Sequence, residues 1–333
     1  MFTRRDFLKT SGVASLGAIF NNPILQQVYA AESQKSPIFA GWLDNKAARQ
    51  HAFNNTHRPL FSQHNQAIKG SGRNKKVLLW KLFEHITGGP LVPHIQEIGD
   101  CVSHAWALGV DMLTAIQMTL FNSQEQWIAK AATEIIYAGS RVEIGGGLRG
   151  DGSMGTWAKD YCEQYGSLLR QPYLNGKYDF TFYNGFKARE LGAKGVPNDL
   201  EPLTKLHPVR TAKLVTNWDE ACDCVANGYP VTLCSSIGYT NKRDKAGFLR
   251  RGRPWMHAML LIAIDNQSER KGGCIQNSWG HNWVSGPTRH EQPEGSFWAD
   301  AKNIEMALKQ GDSFALSGYV GYPRQDIDDY RIW

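Results

Sequence analysis

Ile275-Gln276-Asn277-Ser278-Trp279-Gly280 decides how this chain is read. It closes a short apolar run that begins at Gly273. A second run, His257-Ala258-Met259-Leu260-Leu261-Ile262, precedes it. Both runs have strand length, and Asn266 to Gly272 between them is rich in turn residues. The spacing predicts two antiparallel strands, residues 258–265 and 273–278. Directly opposed residues on such a pair share one face, with Cβ atoms about 5 Å apart. A turn centred on Gln267 would set His257 opposite Asn277, an imidazole beside a carboxamide.

Upstream, Gln96-Glu97-Ile98-Gly99-Asp100-Cys101 leads into a helical pattern over residues 102–117. Ala105, Gly109, Met112 and Ile116 recur at helical spacing, as do Val102, Trp106 and Leu113. Cys101 therefore falls at a helix N-terminus, where exposed N–H groups and the positive end of the helix dipole favour a thiolate. Cysteine, histidine and asparagine in this order suit a thiol nucleophile, its general base and the group that orients the base. Residues 126–137 and 156–165 read as further helices, and residues 76–83 as a short apolar element ended by Gly88-Gly89-Pro90. Residues 230–235 read as another strand. Helices in the first half and strands in the second suggest two lobes with a cleft between them.

The neighbourhoods of Cys101, His257 and Asn277 resemble those of the papain-like cysteine peptidases, over most of residues 75–323. Gln276-Asn277-Ser278-Trp279-Gly280 is the most specific match. Pro93 to Cys101 resembles the family's approach to the nucleophile, and residues 132–137 its next helix. Gly150-Asp151-Gly152-Ser153 resembles the loop that pairs with substrate backbone. The resemblance implies an α+β, papain-like two-lobe fold, with a helical N-terminal lobe and an antiparallel β C-terminal lobe. It implies a Cys101–His257–Asn277 acyl-enzyme mechanism with no cofactor. Gln96 would donate to the oxyanion beside the Cys101 N–H. Trp279 would cover the His–Asn hydrogen bond, and Gly152 and Ser153 would line the cleft.

Three departures stand out. The family's Cys-Gly-Ser/Ala-Cys-Trp is here Ile98-Gly99-Asp100-Cys101-Val102, which lacks the extra cysteine and its disulfide. Gln96 lies one residue closer to the nucleophile than the family pattern has it. Asp100 sets a carboxylate beside the thiol, and a like charge opposes thiolate formation.

The N-terminus carries Thr3-Arg4-Arg5-Asp6-Phe7-Leu8-Lys9, a mildly apolar stretch from Gly12 to Phe20, and Val28-Tyr29-Ala30. This reads as a twin-arginine export signal over residues 1–30, cut after Ala30. The apolar stretch is too short for a permanent membrane anchor. The expected location is the periplasm or the exterior of a bacterial cell, with the twin-arginine translocase as the partner in transit. Residues 31–72 are polar and irregular, which suits a pro-segment or an N-terminal extension ahead of a catalytic domain over residues 73–333.

Removing the leader takes away Arg4, Arg5, Lys9 and Asp6 and lowers the net charge from +6 to about +4. That balance, without a basic face interleaved with aromatics, argues against nucleic acid. Cys162, Cys222, Cys224, Cys234 and Cys274 remain beside Cys101, and their spacing gives no metal site. The substrate expected is a peptide or protein. A non-catalytic peptide-binding member of the fold and a related amidase or acyl-transfer enzyme are the competing readings. Replacing Arg4 and Arg5 with lysine is expected to strand the precursor in the cytoplasm. Fractionation that finds the variant exported normally would reject the twin-arginine route.

Overall fold

Strand β6 (His257–Asp265) is the centre of the molecule because it is apolar from Ala258 to Ile264 and buried along all nine residues. In the computed structural model, residues 40–55, 59–120, 126–207, 209–325 and 327 are described. The expected leader over residues 1–30 lies outside them, as do residues 31–39 of the segment that follows. The elements before β6 are, in order, α1 (Lys46–Asn55), β1 (Lys76–Leu78), α2 (Leu79–Thr87), α3 (Cys101–Leu120), α4 (Thr133–Gly139), α5 (Gly155–Gln164), β2 (Pro172–Tyr173), β3 (Tyr178–Asp179), α6 (Gly185–Lys194), α7 (Glu201–Thr204), β4 (Thr211–Leu214), α8 (Trp218–Ala226) and β5 (Val231–Ser235). After it come β7 (Gly272–Gln276), β8 (Ser296–Asp300), α9 (Ala301–Leu308) and β9 (Phe314–Ser317).

Seven strands form one antiparallel sheet in the order β4-β9-β5-β6-β7-β8, and β1 also pairs with β6. Along one edge of β6, β5 covers the first half and β1 the last three residues; β7 takes the other edge. Both edges of β6 are thus satisfied by backbone hydrogen bonds.

Helix α3 packs on β5, β6 and β9. It is buried on nearly every side from Cys101 to Leu113. Such a helix can be apolar all round because no face meets water. Gly109 lets it come close to the sheet: a Cβ there would lie 2.9 Å from a methyl of Leu316. The helix expected over residues 102–117 is present and longer by a few residues. The helix expected over residues 126–137 starts later, because the Ala131 N–H donates to Asp111 Oδ1 (2.6 Å) and the Ala132 N–H to the Leu168 carbonyl (2.7 Å), and it runs on through a π-helical turn to Ile144. Those bonds hold the approach extended, and α4 begins only at Thr133.

The hairpin register also differs from the expected one. Ile264 pairs with Gly273, Ala263 with Cys274 and, beyond a bulge, Leu261 with Ile275. The turn therefore centres between Ser268 and Glu269. Asp265 is the cause: its carboxylate accepts from Ser268 N (3.0 Å) and Ser268 Oγ (2.6 Å), which starts the turn later than Gln267 would. His257 and Asn277 are consequently diagonal neighbours, still within reach across one face.

Residues 59–72 pack into the same core as the rest, so the boundary expected at residue 72 is not a break in the packing. Phe61 and Ile68 are fully buried, and Phe61 meets Tyr322 edge-on at 4.8 Å. The N–H groups of Gly70 and Gly72 both donate to the Asp223 carboxylate at 2.8 Å. Phe61→Ala is expected to cost about 3–5 kcal/mol of stability. The same truncation at Phe182, which is 83 % exposed, should cost little. Equal urea midpoints for the two variants would show that residues 59–72 are not part of the core.

Candidate active site

Cys101 is the first residue of α3, and His257 is the first residue of β6. Cys101 opens the helix and is 0 % exposed. Backbone hydrogen bonds from Ala258, Gly41 and Val102 reach its thiol, so the sulfur lies against the residue that follows His257. The sequence led to the expectation of a lowered thiol pKa. The structure gives the opposite. Burial pushes Cys101 up to about 12, and Asp100 adds to the rise; the three backbone hydrogen bonds oppose it and lose.

His257 is 0 % exposed as well. Its Nε2 lies 2.7 Å from Asn277 Oδ1. The Ser278 N–H donates to the same oxygen at 2.7 Å, which fixes that atom of the carboxamide as the acceptor. Nε2 must then be the donor, and the neutral ring carries its lone pair on Nδ1. That atom has no hydrogen-bond partner in the structure. Burial holds His257 down to about 3, with the Asn277 hydrogen bond opposing and His104 adding to the fall. In this closed arrangement both members of the pair are neutral.

An aromatic wall shields the His–Asn bond. Trp279 stacks on the His257 ring, with centroids 4.3 Å apart and planes 26° from parallel. Trp255 and Trp283 meet Trp279 edge-on at 4.8 and 5.3 Å. Sequence reasoning found Trp279 and missed the other two. The signals were there: Trp255 sits two residues before His257, and Trp283 is four after Trp279.

Gln96 is drawn to the same place. Its backbone N–H donates to the Ser278 carbonyl at 2.9 Å, and its Oε1 accepts from Ser278 Oγ at 2.6 Å. Its amide nitrogen donates to the Ile98 carbonyl at 2.8 Å. The side chain thus ties the approach to Cys101 to the Asn277-Ser278 segment.

Gly152 and Ser153 lie at the end of the loop that Arg141 fastens. That guanidinium donates to the carbonyls of Leu148, Gly150, Gly152 and Gly192. Their backbone edge is already occupied. Ser153 N donates to the Gly41 carbonyl (2.8 Å), and Leu43 N donates to the Ser153 carbonyl (2.9 Å). Across from them, the N–H groups of Gly41 and Trp42 both point at the carbonyl of Met256, at 3.0 and 3.2 Å. Residues 41–43 therefore run as an extended strap over Cys101, between the Ser153 edge and the residue before His257. Only glycine fits at position 41, since a Cβ would lie 2.1 Å from the Gly99 carbonyl oxygen. Trp42 anchors the strap, buried and donating from Nε1 to Asp312 at 2.7 Å. The sequence held no signal for this segment beyond the glycine itself. Among the described residues no cluster of three or more His, Cys, Asp or Glu could hold a metal ion.

No protein-family model matches this sequence, and no curated protein matches it. Solved structures do. Xylellain, a cysteine protease from Xylella fastidiosa, superposes with a TM-score of 0.51 at 18 % identity, over 84 % of this chain and 92 % of that one. Digestive procathepsin L 3 of Tenebrio molitor larval midgut gives 0.43 at 13 % identity over 93 % and 95 %, and procathepsin B S9 from Trypanosoma congolense gives 0.48 at 10 % over 84 % and 86 %. The resemblance read from the sequence holds at the level of the fold, which is papain-like, with mixed helix and antiparallel sheet.

Asn277 holds the His257 ring through one hydrogen bond, so the two residues are expected to respond differently to truncation. His257→Ala removes the ring and is expected to abolish any Cys101-dependent turnover. Asn277→Ala leaves the ring packed under Trp279 and is expected to retain a measurable part of it. Equal losses from two folded variants in steady-state assays would mean that Asn277 does more than orient.

Proposed function

We propose that this chain is an exported thiol peptidase that hydrolyses peptide bonds through a Cys101–His257–Asn277 acyl-enzyme mechanism. One observation carries the reading: the groove above Cys101 holds an extended peptide, residues 41–43, by its main chain. A surface that grips backbone on both sides of a buried thiol suits a peptide substrate.

With substrate in place of the strap, Cys101 Sγ attacks the scissile carbonyl carbon. His257 Nδ1, the ring atom left with its lone pair, takes the thiol proton and returns it to the departing amine. The acyl-enzyme then forms as the C–N bond breaks. Water, deprotonated by the same nitrogen, releases the acid and restores the thiol. Asn277 keeps the ring in the required tautomer, and Trp279 keeps water from their hydrogen bond. The Cys101 N–H and the Gln96 amide nitrogen, which in the closed chain donates to the Ile98 carbonyl, would donate to the developing oxyanion, a contribution of about 3 kcal/mol for one such donor. Gly152 and Ser153 pair with the substrate backbone. The two-lobe description, with the nucleophile on the helical side and the base on the sheet side, belongs to this reading, as do the leader over residues 1–30 and delivery by the twin-arginine translocase.

The strap makes the chain as it stands the resting form. In this reading the removable part is a pro-segment that ends before residue 59. Helix α1 has no fully buried residue and joins the strap to the core, with Phe53 packed against the core from its surface, so a cut there costs little packing. A non-catalytic peptide-binding protein would also hold a peptide over a buried, protonated thiol, and the test must separate the two.

Gly41→Val cannot keep the strap seated. In the full chain this variant is expected to raise the rate of Cys101 labelling by a thiol-reactive epoxide, and of peptide hydrolysis, by about tenfold or more, equivalent to at least about 1.4 kcal/mol. Cys101→Ala in the same background should leave no hydrolysis. Labelling without hydrolysis would favour the binding protein, and undiminished hydrolysis by Cys101→Ala would reject the cysteine mechanism.

A further inference from the structure

Trp42 is 1 % exposed, and its indole Nε1 donates to Asp312 Oδ2 at 2.7 Å. Asp312 lies just before β9 and is 0 % exposed. The rest of its carboxylate faces the start of α5. The Gly155 N–H donates to Oδ2 at 2.8 Å, and the Thr156 N–H and hydroxyl donate to Oδ1 at 2.7 and 2.5 Å. Gly155 makes this close approach possible: a Cβ there would lie 2.4 Å from the Asp312 carbonyl oxygen and 2.9 Å from Cys234 Sγ.

Asp312, Gly155 and Thr156 belong to the body of the molecule. Trp42 and the cation beside it come from the segment read above as removable. The Arg49 guanidinium lies 5.8 Å from the centroid of the Trp42 ring and pairs with Asp44. When that segment leaves, Asp312 Oδ2 keeps the Gly155 bond and loses the indole. Burial pushes the Asp312 carboxyl up, and the bonds from Thr156, Trp42 and Gly155 oppose that rise. A buried acceptor left without its donor is costly, so the emptied cavity favours a side chain that restores the bond.

We propose that the cavity filled by Trp42 is a substrate side-chain pocket that selects tryptophan, an inference that rests on the peptidase reading of the groove. Trp42 stands opposite Ser153 in a parallel bridge. A substrate residue that pairs with the same Ser153 backbone would set its indole where Trp42 lies and donate to Asp312. Phenylalanine brings a ring with no N–H for Oδ2. Arginine brings five N–H donors. Gly155 and Thr156 already engage the other side of the carboxylate, so a guanidinium would enter with most of its donors unmet.

Trp42→Gly in the full chain empties the cavity. It is tested with free indole and with benzofuran, which has the same shape and no N–H. Indole is expected to bind this variant, by calorimetry and by a raised melting temperature, and not the parent chain, where Trp42 fills the space. Benzofuran should bind about tenfold more weakly or worse. Absence of indole binding, equal affinity for the two, or equal binding of indole to the parent chain would each overturn the proposal.

The same variant is then given peptides in which a single Trp, Phe or Arg is moved along an otherwise Gly-Ala sequence. Among peptides that are cut, one position should show kcat/KM about tenfold higher for Trp than for Phe or Arg. Cutting with no such position, or with a preference there for Phe or Arg, would also overturn the proposal. Indole binding does not depend on cleavage. A cavity that takes indole through its N–H in a chain that cuts no peptide would therefore fail only the peptidase reading. Hydrolysis without preference for Trp would fail only the pocket. Should Trp42→Gly not fold, Trp42→Phe keeps a ring and drops the N–H. Epoxide labelling of Cys101 is expected to be about tenfold faster in that variant than in the parent chain, and an unchanged rate would overturn the proposal.

Discussion

The molecule depends on one packing constraint: α3, buried from its first residue, lies against β6, which is buried along its whole length. A helix start leaves backbone N–H groups without partners, and a buried strand start carries whatever side chain falls there. Here the helix start is a cysteine and the strand start is a histidine. Everything nearby supports that meeting. β5, β1 and β7 satisfy both edges of β6. Gly109 lets the helix settle close to the sheet, and Gln96 stitches the chain before the helix to the chain after β7. Neither group could be moved without reopening a core in which both are fully enclosed.

Much of this was legible from local signals. The helix after Cys101 announced itself by apolar spacing, and the strand after His257 by an unbroken apolar run. The Asn277-Ser278-Trp279 segment could be recognised because its three residues act together: Asn277 fixes a ring, Ser278 fixes Asn277, and Trp279 covers them. What escaped the sequence was non-local. The register shifted because Asp265 captures Ser268, a side-chain choice that no strand pattern encodes. The helix expected over residues 126–137 starts late because Asp111, twenty residues upstream, takes the Ala131 N–H. Polar composition over residues 31–72 hid two core residues, Phe61 and Ile68, since two apolar side chains do not make a pattern.

Electrostatics was the least legible part. The helix dipole argued for a thiolate at Cys101, and it was the right argument for an open helix end. Beneath residues 41–43 the loss of water around the sulfur outweighs it and reverses the sign. The same reversal holds His257 neutral. Position along the chain gives the partners of a titrating group, but whether that group is wet or dry depends on what lies over it. In this fold the cover is three residues long and comes from a segment that composition alone reads as loose.

Seating residues 41–43 has a chemical consequence beyond blocking a groove. Oxidants and disulfides react with thiolates that they can reach. All six cysteines are unpaired and buried, and with the strap in place Cys101 is as enclosed as the other five. Enclosure of this kind slows attack by peroxide and by disulfides, because neither can reach the sulfur.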